Sequence, residues 1–98
     1  MVEEENGMKR LNEYEVEERL EGLAEWRVVD DEIVRVYTLD SFPAALDFVQ
    51  EVGSIAEHLN HHPRIIIDYK NVTLAATTHD SGGLTSKDFE LAEACDAI

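Results

Sequence analysis

The sequence predicts an α+β fold: a four-stranded antiparallel sheet with helices on one face, in the element order α-β-β-α-β-β-α. Three observations carry that expectation. Two stretches, WRVVDDEIVRVYTL and RIIIDYKNVTLAATTH, are rich in β-branched residues and are each broken by a short polar turn, the pattern of a hairpin. Three segments before, between and after them repeat apolar residues at helical spacing. The chain's 98 residues fit one domain with one core. Two hairpins joined in one sheet, with the helices on a single face, is the economical way to bury those apolar sides.

The charged opening MVEEENGMKR contains Gly7, so residues 1–10 are expected to be a flexible acidic leader to a single domain over 11–98. A first helix is expected around residues 12–22. Asn12 can cap it, Glu15 can return the bond three residues on, and Leu11 can staple onto Val16. Strands follow around 26–30 and 33–39, with a turn at Asp30 and Asp31. The second helix spans about 42–61, capped by Asp40 or Ser41, with Pro43 tolerated in the first turn where its missing N–H has no helical partner. Ala45, Phe48, Val49, Val52, Ala56 and Leu59 share its apolar face. Gly53 either weakens this helix or marks a close approach of another backbone, and Pro63 ends the segment by biasing residue 62 out of helical geometry.

Strands around 64–70 and 72–78 form the second hairpin, with its turn near Lys70 and Asn71. Gly82 and Gly83 then permit a sharp reversal. A helix over about 85–96 opens with a Thr85/Asp88 capping box and a Leu84/Phe89 staple, and Cys95 lies on its apolar side as a small core residue.

The formal charge is −14, from 22 acidic against 8 basic residues. Such a field repels nucleic-acid phosphates and anionic membranes, so neither is an expected partner. It suits solubility or a salt-adapted surface, or a leader that binds a basic partner. Cys95 is the sole cysteine, which rules out an intrachain disulfide and fits a reducing compartment. With no basic apolar leader and no apolar run near 18 residues, the expectation is a soluble, cytoplasmic protein.

Three of the four histidines, His58, His61 and His62, fall within EHLNHHP; the fourth, His79, follows the last strand. On a continuing helix Glu57 and His61 share a face, as do His58 and His62. Helix-terminal carbonyls and Glu57 both attract a cationic ring, which suits a group that must give up a proton. If the two hairpins pair in mid-sheet, His79 emerges beside the end of the second helix. The same residues could simply decorate a helix end. Glu57, His61, His62 and His79 are also acceptable zinc ligand types, although neither HExxH nor a paired-cysteine motif is present. Serine hydrolysis and phosphate-loop chemistry lack their motifs.

One combination of spacings narrows these options. Glu57, three residues, then His61, His62 and Pro63 are followed by Tyr69, nine residues, His79, eight residues and Asp88. With HHP and THDSGGLT, this pattern resembles the pterin-4a-carbinolamine dehydratases from about Phe42 to Ala92, and more loosely back to Trp26. The resemblance implies a hydro-lyase, a 4a-hydroxytetrahydrobiopterin dehydratase. It removes water from a 4a-hydroxytetrahydropterin to give the quinonoid dihydropterin, using no metal or organic cofactor. It implies acid/base roles for His61 and His79, and substrate holding by His62. It also implies a homodimer or homotetramer, which a thin core and an open sheet edge would favour. The chemistry of the residues agrees. Hydroxide leaves poorly unless an imidazolium protonates it, N5 can supply the electrons, and a base must accept a ring proton. Glu57 is expected to orient His61. Thr78, Ser81 with the neighbouring backbone, and Asp88 are expected on the substrate-binding side. The chain departs from the family pattern at Asn60, often acidic in relatives, and at Ile65, often tryptophan, which removes stacking area for a flat bicycle.

Overall fold

The computed structural model describes residues 9–98, so most of the expected leader, residues 1–8, lies outside the described residues. The elements are α1 (Glu13–Leu20), β1 (Arg27–Val29), β2 (Glu32–Thr38), α2 (Phe42–Leu59), β3 (Arg64–Asp68), β4 (Asn71–Ala76) and α3 (Ser86–Asp96), with a short 3-10 turn over His79–Ser81. This is the expected order, and the sheet is antiparallel throughout, β1-β2-β4-β3. The two hairpins therefore do meet at β2 and β4. Both capping boxes form. Asn12 and Glu15 exchange backbone-to-side-chain bonds of 2.9 Å at the start of α1, while Thr85 and Asp88 do the same for α3. Ser41, not Asp40, caps α2 by accepting from the Ala44 N–H at 3.1 Å.

Pairing decides the faces. Ile33, Val72, Leu74 and Ala76 point to the helices and are at most 1 % exposed. Val36 and Ile66 both neighbour Thr73 on the opposite face, where they are 52 % and 44 % exposed. Phe48, Val52, Phe89, Leu91, Ala92 and Cys95 close the core from α2 and α3. Each large apolar side chain buried this way contributes roughly 1.5–3 kcal/mol before entropy is counted. A Cβ added at Gly53 would meet nothing within 4 Å, so that glycine marks no close backbone approach. Among the described residues, no helix is long and apolar enough to cross a membrane.

Two local geometries differ from expectation. The second hairpin turns at Tyr69 and Lys70, one residue early, with Tyr69 at φ +55°. A left-handed tyrosine is unfavourable sterically, yet the Asp68↔Asn71 pairing leaves no other residues for the turn. Helix α2 stops at Leu59, two residues before the expected end. Asn60 adopts the left-handed conformation (φ +53°, ψ +44°), and the His61 N–H reaches back to the Ala56 carbonyl at 3.0 Å. With the Asn60 N–H on Glu57, this is a Schellman ending. Asparagine tolerates that geometry better than most side chains, so Asn60 ends the helix before Pro63 can.

At the far end of α3, Asp96 accepts bonds from Trp26 Nε1 (3.0 and 3.1 Å), Arg35 (3.0 Å) and the Tyr37 hydroxyl. The helix end is thereby tied to β2 and to the loop before β1. Burial beside this carboxylate pushes the Tyr37 hydroxyl pKa upward and the Cys95 thiol up to about 11, which fits Cys95 as a core residue.

Candidate active site

The early stop of α2 places the histidines. Because His61 lies past the helix, it no longer shares a helical face with Glu57, and its ring turns inward to Asp88. The His61 Nε2 to Asp88 Oδ1 distance is 2.6 Å, with the two side chains 12 % and 0 % exposed. Glu57 meets His62 instead, Oε2 to Nε2 at 2.5 Å, and both side chains are largely in solvent. The expected Glu57–His61 pairing is thus replaced by two separate imidazole–carboxylate pairs. The physical reason is the left-handed residue between them, which breaks the 100°-per-residue progression the expectation assumed.

Asp88 is held from several directions. Its Oδ2 accepts from the Thr85 N–H at 2.9 Å and from the Thr78 hydroxyl at 2.8 Å, and the Thr85 hydroxyl lies 2.8 Å from that of Thr78. It also sits in the first turn of α3, where the helix dipole favours a negative charge. A carboxylate only accepts, so its bond to His61 keeps the proton on Nε2 and leaves Nδ1 as the exchangeable nitrogen. Asp88 and Thr78 were expected to touch substrate. Asp88 is wholly buried, does not line the histidine cleft and holds His61 from beneath, whereas Thr78 lines that cleft while its hydroxyl bonds Asp88.

His79 is carried by the loop after β4. Thr78 and Gly83 exchange backbone bonds of 3.1 and 3.3 Å, closing the loop around the 3-10 turn, and Gly82 supplies the left-handed residue it needs (φ +75°). The His79 ring is exposed and has no hydrogen-bond partner among the described residues. A cleft of about 400 Å³ is lined by His61, His62 and His79 together with Asn60, Thr77, Thr78, Asp80 and Lys87. That size accommodates a small heterocycle.

Ser81 does not line this cleft, and neither does Ile65, which packs against the core opposite Leu74. Tyr69 is at the hairpin tip, near the Thr38 end of β2 and away from the histidines. Lys87 was not anticipated. It lines the cleft and its Nζ lies 3.5 Å from the Leu59 carbonyl at the end of α2. Only its place beside Asp88 in the first turn of α3 could have signalled it. Among the described residues, no three His, Cys, Asp or Glu side chains gather as a metal-binding set.

An antiparallel sheet backed by helices, with three histidines around one cleft and one of them fixed by a buried carboxylate, defines a small α+β protein with a histidine-lined cleft. The family model for pterin 4 alpha carbinolamine dehydratase matches residues 9–98, and the chain belongs to that family. Among curated proteins, it is 52% identical over 91 residues to a "Putative pterin-4-alpha-carbinolamine dehydratase" of Chloroflexus aurantiacus, covering 93% of this chain and 98% of that one. A protein of the same name from Roseiflexus sp. is 49% identical over 89 residues, covering 91% and 96%. Among solved structures, a transcriptional coactivator/pterin dehydratase from Brucella melitensis superposes with a TM-score of 0.87 at 33% identity, covering 91% of this chain and 97% of that one.

Proposed function

We propose that the protein dehydrates 4a-hydroxytetrahydropterins by histidine acid/base catalysis. The observation that carries this reading is the cleft shared by His61, His62 and His79, with His61 locked through Nε2 onto buried Asp88. One imidazolium protonates the C4a hydroxyl so that it leaves as water. The N5 lone pair forms the new C4a–N5 double bond, and the other imidazole accepts a ring proton. His61 suits proton exchange through Nδ1, and His79, without a protein partner among the described residues, can reload from solvent. His62, steadied by Glu57, holds the substrate. No step needs a metal or an organic cofactor. A cytoplasmic location and a homodimer or homotetramer remain part of this reading, because the exposed Val36 and Ile66 face and the β3 edge would gain from burial.

A second reading is a binding module that keeps the fold without turnover. The same exposed apolar sheet face favours it, and the Brucella melitensis protein carries a coactivator title.

A direct dehydration assay on a generated 4a-hydroxytetrahydropterin separates the two. His61→Ala and His79→Ala should each lower kcat by about 10- to 1000-fold, the scale of a lost general acid or base partly replaced by water. His62→Ala should chiefly raise KM, as loss of a contact made equally in ground and transition states does. Activity should persist in chelator. A wild-type rate no greater than the spontaneous one, from low to molar salt, would leave the binding module standing.

A further inference from the structure

Lys87 is the one charged side chain of the histidine cleft to which neither the fold nor the proton transfer gives a task. It lies in the first turn of α3, where the helix dipole opposes a positive charge. Its Nζ stands 3.5 Å from the Leu59 carbonyl, beyond the roughly 2.7–3.2 Å usual for an N–H···O bond. Arg10, Arg35 and Arg64 each pair with a carboxylate, but among the described residues none lies within ion-pair distance of Lys87. Acids are plentiful in a chain with 22 of them against 8 basic residues, yet this half-buried lysine faces the cleft instead. Besides the histidines, it is the only basic side chain lining that cleft. Its place follows from its neighbour. Asp88 holds His61 Nε2 from beneath, while Lys87 reaches across to Leu59, two residues before His61. Ammonium and imidazole therefore open on the cleft from adjoining positions.

We propose, resting on the dehydratase reading above, that Lys87 binds the substrate, its ammonium donating to the carbonyl oxygen at C4 of the pterin ring. The chemistry of the bicycle fits that place. C4a, which loses the hydroxyl, is bonded to both C4 and N5. A ring that His61 serves at the C4a hydroxyl or at N5 thus brings the C4 oxygen to the adjoining position. That oxygen is an amide-type acceptor, and an ammonium has three N–H donors, of which the Leu59 carbonyl can take one. A charged donor makes a stronger bond to such an oxygen than a neutral one. The contact is present before and during the loss of water, so it acts on KM rather than on kcat. It also selects. A ring with an amino group at C4 turns N–H donors toward the ammonium, and donor facing donor specifies against it.

The test measures affinity for two stable rings, 6-methyl-7,8-dihydropterin and its 2,4-diamino counterpart, alongside turnover of the 4a-hydroxy adduct of 6-methyltetrahydropterin. The variants are wild type, Lys87→Met and Lys87→Arg. Methionine and arginine are good helix formers, and the residue 87 N–H keeps its bond to the Thr85 hydroxyl, so both should fold; their Tm checks this. Wild type should prefer the 4-oxo ring by roughly tenfold or more, the scale of a charge-assisted bond. Lys87→Met should cut that preference to about threefold or less and raise KM about tenfold, with kcat within about threefold of wild type. Lys87→Arg, which keeps charge and donors, should restore both. A preference of the same size in wild type and Lys87→Met would overturn the proposal, as would a lower Tm in Lys87→Met with both affinities unchanged, the mark of a mere cap on α2. A wild-type turnover no faster than the spontaneous reaction would overturn the dehydratase reading instead, and the ratio of affinities would still decide the Lys87 contact.

Discussion

Two imidazole–carboxylate pairs of nearly equal length stand side by side at the end of α2. His61–Asp88 spans 2.6 Å and His62–Glu57 spans 2.5 Å. Their surroundings are opposite. Asp88 is 0 % exposed and is fixed by Thr78, the Thr85 backbone and a helix N-terminus, whereas Glu57 and His62 are 78 % and 56 % exposed. The difference teaches that distance does not measure what an ion pair does. An exposed pair is screened and entropically costly to hold, and contributes between zero and about 1 kcal/mol. A buried carboxylate with several donors cannot drift, and removing a partner leaves others unsatisfied at about 1–3 kcal/mol each. The first pair can dictate a tautomer, and the second can only bias a position.

The largest effect should come from Asp88→Asn. Its amide would donate to Nε2, move the His61 proton to Nδ1 and remove the base from the cleft side. We expect kcat to fall on the order of 10- to 1000-fold with KM little changed, the range for a lost general acid/base. The loss should fall on kcat rather than on KM, a split that simple loosening of the fold would not produce. If activity falls no further than in Glu57→Gln, burial is not what distinguishes the two pairs.

Asp96 sharpens the comparison, since it is a multiply bonded carboxylate with no histidine. Asp96→Ala should cost about 1–3 kcal/mol in urea unfolding, from the abandoned Trp26, Arg35 and Tyr37 donors, and should leave kcat intact. A large loss of turnover in a folded Asp96→Ala protein would show that α3 couples its two ends.

The same end of α3 governs the alkaline limit. Tyr37 and Cys95 titrate higher in the folded chain than their ordinary values of 10.0 and 9.0, because burial penalises their charged forms. The folded state therefore binds the extra protons. Its stability is whole below about pH 9 and declines as pH rises toward 11, where Cys95 ionises, and beyond as Tyr37 follows. Denaturation midpoints measured from pH 7 to 11 should trace this fall, and Tyr37→Phe should flatten it.

Smallest of all should be Glu57→Gln. We expect under about 1 kcal/mol in stability and a KM change within about threefold, both disappearing in molar salt. A tenfold loss of kcat would mean that the exposed pair does more than steady His62.

The element order, both capping boxes, the core faces of α2 and α3 and the family pattern were legible because each depends on residues three or four apart, or on period-two alternation, within one segment. The expected Glu57–His61 pair failed for the same reason. It extended a local rule one turn past Asn60, where a single left-handed residue redirects everything after it. Tyr69 shows the same limit, since strand pairing rather than turn preference placed it at the hairpin tip. The sequence by itself determined which helices and strands form and which residue types could carry proton transfer. Tertiary structure alone decided that Asp88, 27 residues away in sequence, rather than Glu57, holds His61. It also decided that β2 and β4 meet in mid-sheet, which sets His79 beside His62 and the acidic turn beside His79. Local periodicity encodes which way a side chain faces on its own element, whereas partners across the core follow from how whole elements pack, and that is settled only when all of them are in place.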